Sequence, residues 1–289
     1  MNRQTVILTA PQHYALRLAR ALEAYSDRFE TVVVPMVCSS VTTGNKAAIK
    51  EFWRHRSHFD AAAFMSRKAI EACKGHPWHT ESNLAFLAIG KDNEALRESL
   101  HVEPAFVASE ASPMGIAHEW QKRGDAQGKR MAVLAPLFDG LEEPLTVPDF
   151  IQKATSLGME TTRINVYTNS PTPLAHRLLA YEMLARQEAH ILALTSGSEA
   201  VAFCTGMKAV YGNGALDMAN RAIVACMGPY TAQQARRSGL EVDMVASQHS
   251  SFHDFARCMA EFTCGHPTKV NCVKFSTGFS AGFTRKIEK

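Results

Sequence analysis

The chain has 289 residues, 46% of them apolar and 20% charged, with a formal net charge of +3. Such a length allows about two domains, each large enough to bury its own core. So small and dispersed a charge, with no Lys/Arg block, argues against a nucleic-acid partner, and no apolar stretch approaches the ~20 residues of a bilayer-spanning helix.

Taken in chain order, residues 6–9 and 32–34 are short β-rich runs flanking 14–25, where Leu16, Ala19 and Leu22 recur at helical spacing. With a strand pattern beginning at Thr5, no signal or transit peptide is expected ahead of it. Further short apolar runs fall at 61–65, 85–89, 131–135, 164–167, 191–195 and 223–227, most followed by a polar or Gly/Pro turn and a helix-like segment. Apolar strands alternating with helices predict an α/β protein with parallel sheets covered on both faces. The linker-like segments are 38–45, rich in Ser, Thr and Gly, and 168–173, with Asn, Ser and two Pro. They bracket residues 37–171. One sub-domain is therefore expected to be inserted in the other, 37–171 within 1–36 plus 172–264, joined by two antiparallel segments with Gly44 and Pro171 near the pivots. From Gly265 the periodicity is lost, and 265–289 is expected to be a loosely packed tail despite Phe275, Phe279 and Phe283.

The two halves also repeat each other. Leu84-Ala-Phe-Leu-Ala-Ile-Gly90 matches Ala222-Ile-Val-Ala-Cys-Met-Gly228, and Pro104-Ala-Phe-Val-Ala-Ser109 matches Val242-Asp-Met-Val-Ala-Ser247. Upstream, the turn at Phe64-Met-Ser66 matches Leu194-Thr-Ser196, and Val6-Ile-Leu-Thr-Ala-Pro11 matches Ala132-Val-Leu-Ala-Pro136. A period this long means two copies of one α/β unit, because solenoid repeats run at roughly 20–50 residues.

Ligands of doubly wound sheets bind beyond the carboxyl ends of the strands. The turns that qualify are Thr9-Ala10-Pro11, Ser66-Arg67-Lys68, Gly90-Lys91-Asp92, Pro136-Leu137-Phe138, Thr195-Ser196-Gly197-Ser198 and Gly228-Pro229-Tyr230-Thr231. Each enters a helix start, where free N–H groups attract anions. Ser66, Arg67, Gly90, Lys91, Ser196, Gly197, Ser198, Gly228, Tyr230 and Thr231 are the candidate substrate-binding residues, with simple helix capping the alternative for the hydroxyls. Neither GxxxxGK nor GxGxxG occurs, so no common nucleotide motif is present. The pairs His76/His79 and His249/His253 lack a completing carboxylate or Cys, and no metal is expected. Seven Cys without CxxC spacing read as reduced thiols of a cytosolic protein, mostly small core hydrophobes. Tyr167 ends an apolar run and opens a linker, which makes its phenol a candidate proton or hydrogen-bond donor to a leaving group.

These pieces resemble the uroporphyrinogen-III synthase family. The run from Ile223 through Gly228-Pro-Tyr-Thr-Ala to Gly239-Leu240 resembles the family's strand, Gly-Pro-x-Thr-Ala, helix and Gly-Leu. Leu194-Thr-Ser-Gly-Ser resembles its Thr-Ser-Pro-Ser turn, and Val166-Tyr167-Thr168 the segment with the Tyr proposed to assist catalysis. The resemblance implies a cofactor-free, monomeric, cytoplasmic lyase of tetrapyrrole (heme) biosynthesis, converting hydroxymethylbilane to uroporphyrinogen III with loss of water and inversion of ring D. Tyr167 would then be catalytic. The first copy departs from the pattern, with Gly90-Lys-Asp-Asn-Glu-Ala lacking the Thr, Ala10 replacing an Arg, and Leu137 in a basic turn, while Arg67 and Lys91 supply charge. Tyr230 stands where Thr is usual. Two alternatives follow: a relative performing another dehydration or cyclisation on a smaller substrate, or a non-catalytic ligand-binding protein using the same cleft.

Overall fold

The structure is a computed structural model that describes residues 3–78, 83–248 and 251–265. Among the described residues the strands are β1 (Gln4–Leu8), β2 (Phe29–Val33), β3 (Val37–Ser40), β4 (Ala61–Phe64), β5 (Ala85–Ala88), β6 (Arg130–Phe138), β7 (Glu160–Pro171), β8 (Ile191–Leu194), β9 (Ile223–Cys226) and β10 (Val242–Val245). They form two sheets, ordered β10-β9-β8-β1-β2 and β3-β7-β6-β4-β5. Every pairing is parallel except β3 against β7. The expected α/β architecture of two parallel-dominated sheets is the one observed.

Period-two alternation explains why both faces need helices. In β1, Val6 and Leu8 enter one core while Ile7 enters the other. In β4, Ala62 and Phe64 face the core around Trp78, and Ala61 and Ala63 face the core around Phe150. Strands apolar on both faces stay dry only between two helical layers.

The internal repeat is visible in the strand order. The run β9-β8-β1-β2 of one sheet has the same spatial order as β5-β4-β6-β7 of the other, and β3 is an added antiparallel edge. The copies differ at the opposite edge. Val242–Val245 is a full strand, but in its counterpart only Pro104 makes an isolated bridge, to Phe86. Proline has no N–H to give a ladder, and Val107 is left exposed.

Three local expectations are corrected. The helix Gln12–Leu22 buries Ala15, Leu18, Ala21 and Leu22, while Leu16 is 44% exposed. Docking against the C-terminal helix Phe252–Gly265 selects that stripe and turns Leu16 outward, while Ala19 packs at the edge of the same core. The segment 38–45 is not a loose linker, because Val37–Ser40 pairs with Thr168–Pro171 and Thr43–Arg54 is a helix capped reciprocally by Thr42 and Asn45. Gly44 lies inside that helix. The chain crosses between the sheets at residues 34–36 and 172–173, where Thr172 N–H donates to the Met36 carbonyl at 2.9 Å. Finally, Cys73, Cys204 and Cys226 are core residues, whereas Cys38 and Cys264 are exposed. Residues 266–289, with Cys272 and the three tail phenylalanines, and also His79 and His249, lie outside the described residues.

Candidate active site

The carboxyl ends of the two sets of strands face one another across a cleft of about 620 Å³. One wall carries Met65, Ser66 and Arg67 after β4, Lys91 and Asp92 after β5, Pro136 and Phe138 at the end of β6, and Tyr167 and Asn169 in β7. The other carries Pro11 and Tyr14 after β1, Thr195 to Glu199 after β8, and Met227 after β9. Of the sequence-derived site residues, Ser66, Arg67, Lys91, Tyr167, Ser196, Gly197 and Ser198 therefore meet in one place.

Tyr167 lies in the floor of this cleft. Its phenol is 5% exposed and sits 3.0 Å from Ser66 Oγ, which also accepts the Ala69 N–H as the cap of the helix Arg67–Ala72. Burial pushes the phenol up to about 12. It is therefore a protonated donor at neutral pH. A second phenol, Tyr14, is also pushed up to about 12 by burial, with Asp92 and Glu71 acting in the same direction.

Charge in the cleft is largely paired. Arg67 Nε donates to Asp92 Oδ1 at 3.0 Å, and Arg67 Nη2 donates to the Lys91 carbonyl at 3.2 Å. Burial raises the Asp92 carboxyl even so, against the pull of Arg67. Opposite them, Ser196 caps the helix Gly197–Tyr211 and lies 3.0 Å from Ser198 Oγ. Both Ser66 and Ser196 are helix caps and cleft residues at once, so the capping reading and the binding reading do not exclude each other.

Gly228, Tyr230 and Thr231 line an adjoining recess of about 330 Å³ that shares Thr195, Ser196 and Gly197 with the cleft. There Tyr230 Oη donates to Glu110 Oε1 at 3.0 Å, and Thr231 Oγ1 donates to the Thr195 carbonyl at 3.3 Å. Gly90 lines neither space. Its φ of +50° and the 2.8 Å that a Cβ would leave to Ala111 Cβ explain a glycine that shapes the turn. At the other turns Thr9 and Ala10 are fully buried and Leu137 points to solvent. Among the described residues no three His, Cys, Asp or Glu side chains gather as a metal site requires, and no helix is long and apolar enough to cross a membrane.

The model of the family uroporphyrinogen-III synthase HemD matches residues 17–253, most of the chain. The chain belongs to the uroporphyrinogen-III synthase family. A mutant uroporphyrinogen III synthase from the extremely thermophilic bacterium Thermus thermophilus has a similar fold, at 14% identity and a TM-score of 0.63 over 92% of this chain and 100% of that one. The wild-type Thermus thermophilus enzyme in another crystal form aligns at 15% identity over 92% of this chain and 100% of that one, with a TM-score of 0.49. No curated protein matches the sequence.

Three cleft residues of this family member lie outside the candidate residues drawn from the turns. Tyr14 stands in the first turn of the helix Gln12–Leu22, and Asp92 shows its role only through Arg67. Glu199 is 1% exposed, yet it lines the cleft and is surrounded by Thr9, Thr195 and Ser196. The Ser196-x-x-Glu199 spacing of a capping box was the available signal.

Proposed function

We propose that the protein is a uroporphyrinogen-III synthase: a lyase that closes hydroxymethylbilane to uroporphyrinogen III with loss of water and inversion of the last ring. Family membership sets the reaction class. The observation that carries the reading is a protonated, buried phenol, Tyr167, at the floor of a cleft between two sets of strand ends. We take residues 1–36 with 172–264 and residues 37–171 as the two lobes of a cytoplasmic monomer.

In this reading the linear tetrapyrrole lies across the cleft with its carboxylates against Ser198 and the basic groups of Arg17, Lys68 and Lys91, all of which line it. Tyr167 donates a hydrogen bond to the hydroxymethyl oxygen as the pyrrole nitrogen pushes it out, and the departing hydroxide takes up the pyrrole N–H proton, so that water and a neutral azafulvene result. A high proton affinity keeps the phenol intact, so it acts by hydrogen bonding and not by ionising. The substituted carbon of the last ring attacks the electrophilic methylene of the azafulvene left behind, and the spiro intermediate fragments and recloses with that ring inverted, shedding a proton as the ring regains its aromaticity. None of these steps needs a nucleophile from the protein. The walls contribute position, which is the larger part of such a task.

A cyclisation or dehydration of a smaller substrate is favoured by one observation, the bulk of Phe138 in the cleft wall. One experiment separates the readings. Enzymatically generated hydroxymethylbilane is supplied and the ratio of type III to type I uroporphyrinogen is measured. Predominant type III product supports the synthase. A ratio equal to that of the spontaneous reaction refutes it.

A further inference from the structure

Glu199 opens the helix Gly197–Tyr211 with its carboxyl group almost wholly removed from water. Oε1 accepts from Thr195 Oγ1 at 2.6 Å and from Ser196 Oγ at 2.8 Å, while Oε2 accepts the Thr195 N–H at 2.8 Å. Oε2 also lies 2.6 Å from Thr9 Oγ1, and that same hydroxyl lies 2.7 Å from the Ala193 carbonyl. A threonine hydroxyl has one proton and here faces two acceptors. If Glu199 were ionised, one of these short oxygen–oxygen contacts would contain no hydrogen. With the proton on Oε2, Glu199 donates to Thr9, and Thr9 donates to Ala193, so every short contact is a hydrogen bond.

The internal repeat supplies a control. By the matched turns and strand registers, Thr195 and Glu199 correspond to Met65 and Ala69, and Thr9 to Leu134. The duplicate lobe thus builds the same strand, cap and helix start with apolar residues at all three places, all buried. A buried carboxyl group is costly without full pairing, and the fold manages without one in its other copy. Nor is this an ordinary capping box, since the Glu199 side chain reaches the Thr195 N–H and Thr9 and not the backbone N–H of the Ser196 cap.

We propose that Glu199 is held as a neutral carboxylic acid that positions the hydroxyls of Thr195 and Ser196 in the cleft wall while keeping negative charge away from an anionic substrate. This rests on the synthase reading for the identity of the substrate, a molecule with eight carboxylates. Glu199 is a positioning residue and touches no reacting atom. Burial raises its carboxyl above the usual range, outweighing the hydrogen bonds from Thr195, Thr9 and Ser196 that favour ionisation. The titratable group facing it from β9 is Cys226, a thiol itself pushed up to about 12 by burial and so uncharged, with Arg236 and Asp243 acting on that thiol from neighbouring elements. The charged residues that line the cleft are Arg17, Lys68, Lys91, Glu94 and the Arg67–Asp92 pair.

Two readouts test this on the full-length protein, wild type and Glu199→Gln. Gln keeps a donor for Thr9 and an acceptor for Thr195 Oγ1 and Ser196 Oγ, gives up the acceptor of the Thr195 N–H, and cannot ionise. The first readout is the infrared C=O stretch of a protonated carboxylic acid in the ligand-free protein, followed as pH is raised. Wild type is expected to show the band at neutral pH and lose it at alkaline pH, while Glu199→Gln lacks it. The second is KM for hydroxymethylbilane against pH. Wild-type KM is expected to rise about tenfold or more across the loss of the band, as a like charge appears beside the anion, and KM of Glu199→Gln is expected to stay flat. Absence of the band from wild type at neutral pH would overturn the neutral acid, and parallel KM profiles would overturn its role in binding. A protein that turns over no hydroxymethylbilane would refute the synthase reading instead, and the infrared band would still decide the state of Glu199.

Discussion

Replacing Tyr167 with Phe removes one hydroxyl from the cleft floor and nothing else. In the folded protein the loss is modest. Ser66 Oγ keeps the Ala69 N–H at 3.2 Å, so no buried group is stranded, and one neutral hydrogen bond is worth about 0.5–1.5 kcal/mol. In the reaction the loss is larger, because the departing oxygen gathers negative charge. A hydrogen bond to a charged partner contributes about 1.5–3 kcal/mol, which converts to a fall in kcat of about 10- to 150-fold. The hydroxyl is made for the transition state more than for the ground state, so KM should change little. Because burial holds the phenol at about 12, wild type and variant should differ by the same factor throughout the neutral range. The assay is single-turnover conversion of hydroxymethylbilane with product isomers separated by chromatography. Slower turnover should also lower the type III fraction, since unaided closure of the substrate gives type I. Wild-type rate and isomer ratio in a well-folded Tyr167→Phe protein would show the phenol to be a packing group and would refute the argument.

Thr231→Val should destabilise the protein by about 1 kcal/mol, the loss of its bond to the Thr195 carbonyl, while KM stays unchanged. A raised KM would instead place a substrate carboxylate in the recess. Gly206→Ala would set a Cβ 2.1 Å from the hydroxyl of the buried Tyr181 and 2.6 Å from Arg177 Nη1. Overpacking of this kind costs about 1–3 kcal/mol, and denaturant melts should show it. For Asp254, burial works to raise the carboxyl, but bonds from Arg257, the Gln248 N–H and Ser247 hold it down to about 2. Its stabilising effect is therefore present above the ordinary carboxylate range and lost as pH falls towards 2. Melting temperatures of wild type and Asp254→Asn should differ at neutral pH and converge in acid, and a constant gap would contradict this.

Much of the cleft was readable because the signals are local. A strand that is apolar on both faces, followed at once by Ser66 or Ser196 at a helix start, announces both its layer and its loop. Tyr167 was placed in the cleft by the same kind of signal, although the strand it was expected to end runs on to Pro171. Gly228, Tyr230 and Thr231 show the limit of such reading. Their turn has the right form, yet it opens on a recess where Tyr230 meets Glu110 from the other lobe, a contact between residues 120 apart in the chain.

By itself the sequence determined the two-sheet architecture and the duplication, since each depends on periodicity or on resemblance between segments. Tertiary structure alone decided the helix face that leaves Leu16 exposed, the pairing of Arg67 with Asp92, and the setting of Glu199. That carboxyl is defined by Thr9, 190 residues away. Hydroxyls and carboxyls of this kind take their charge state from what surrounds them, and their surroundings exist only once β1 and β8 lie side by side.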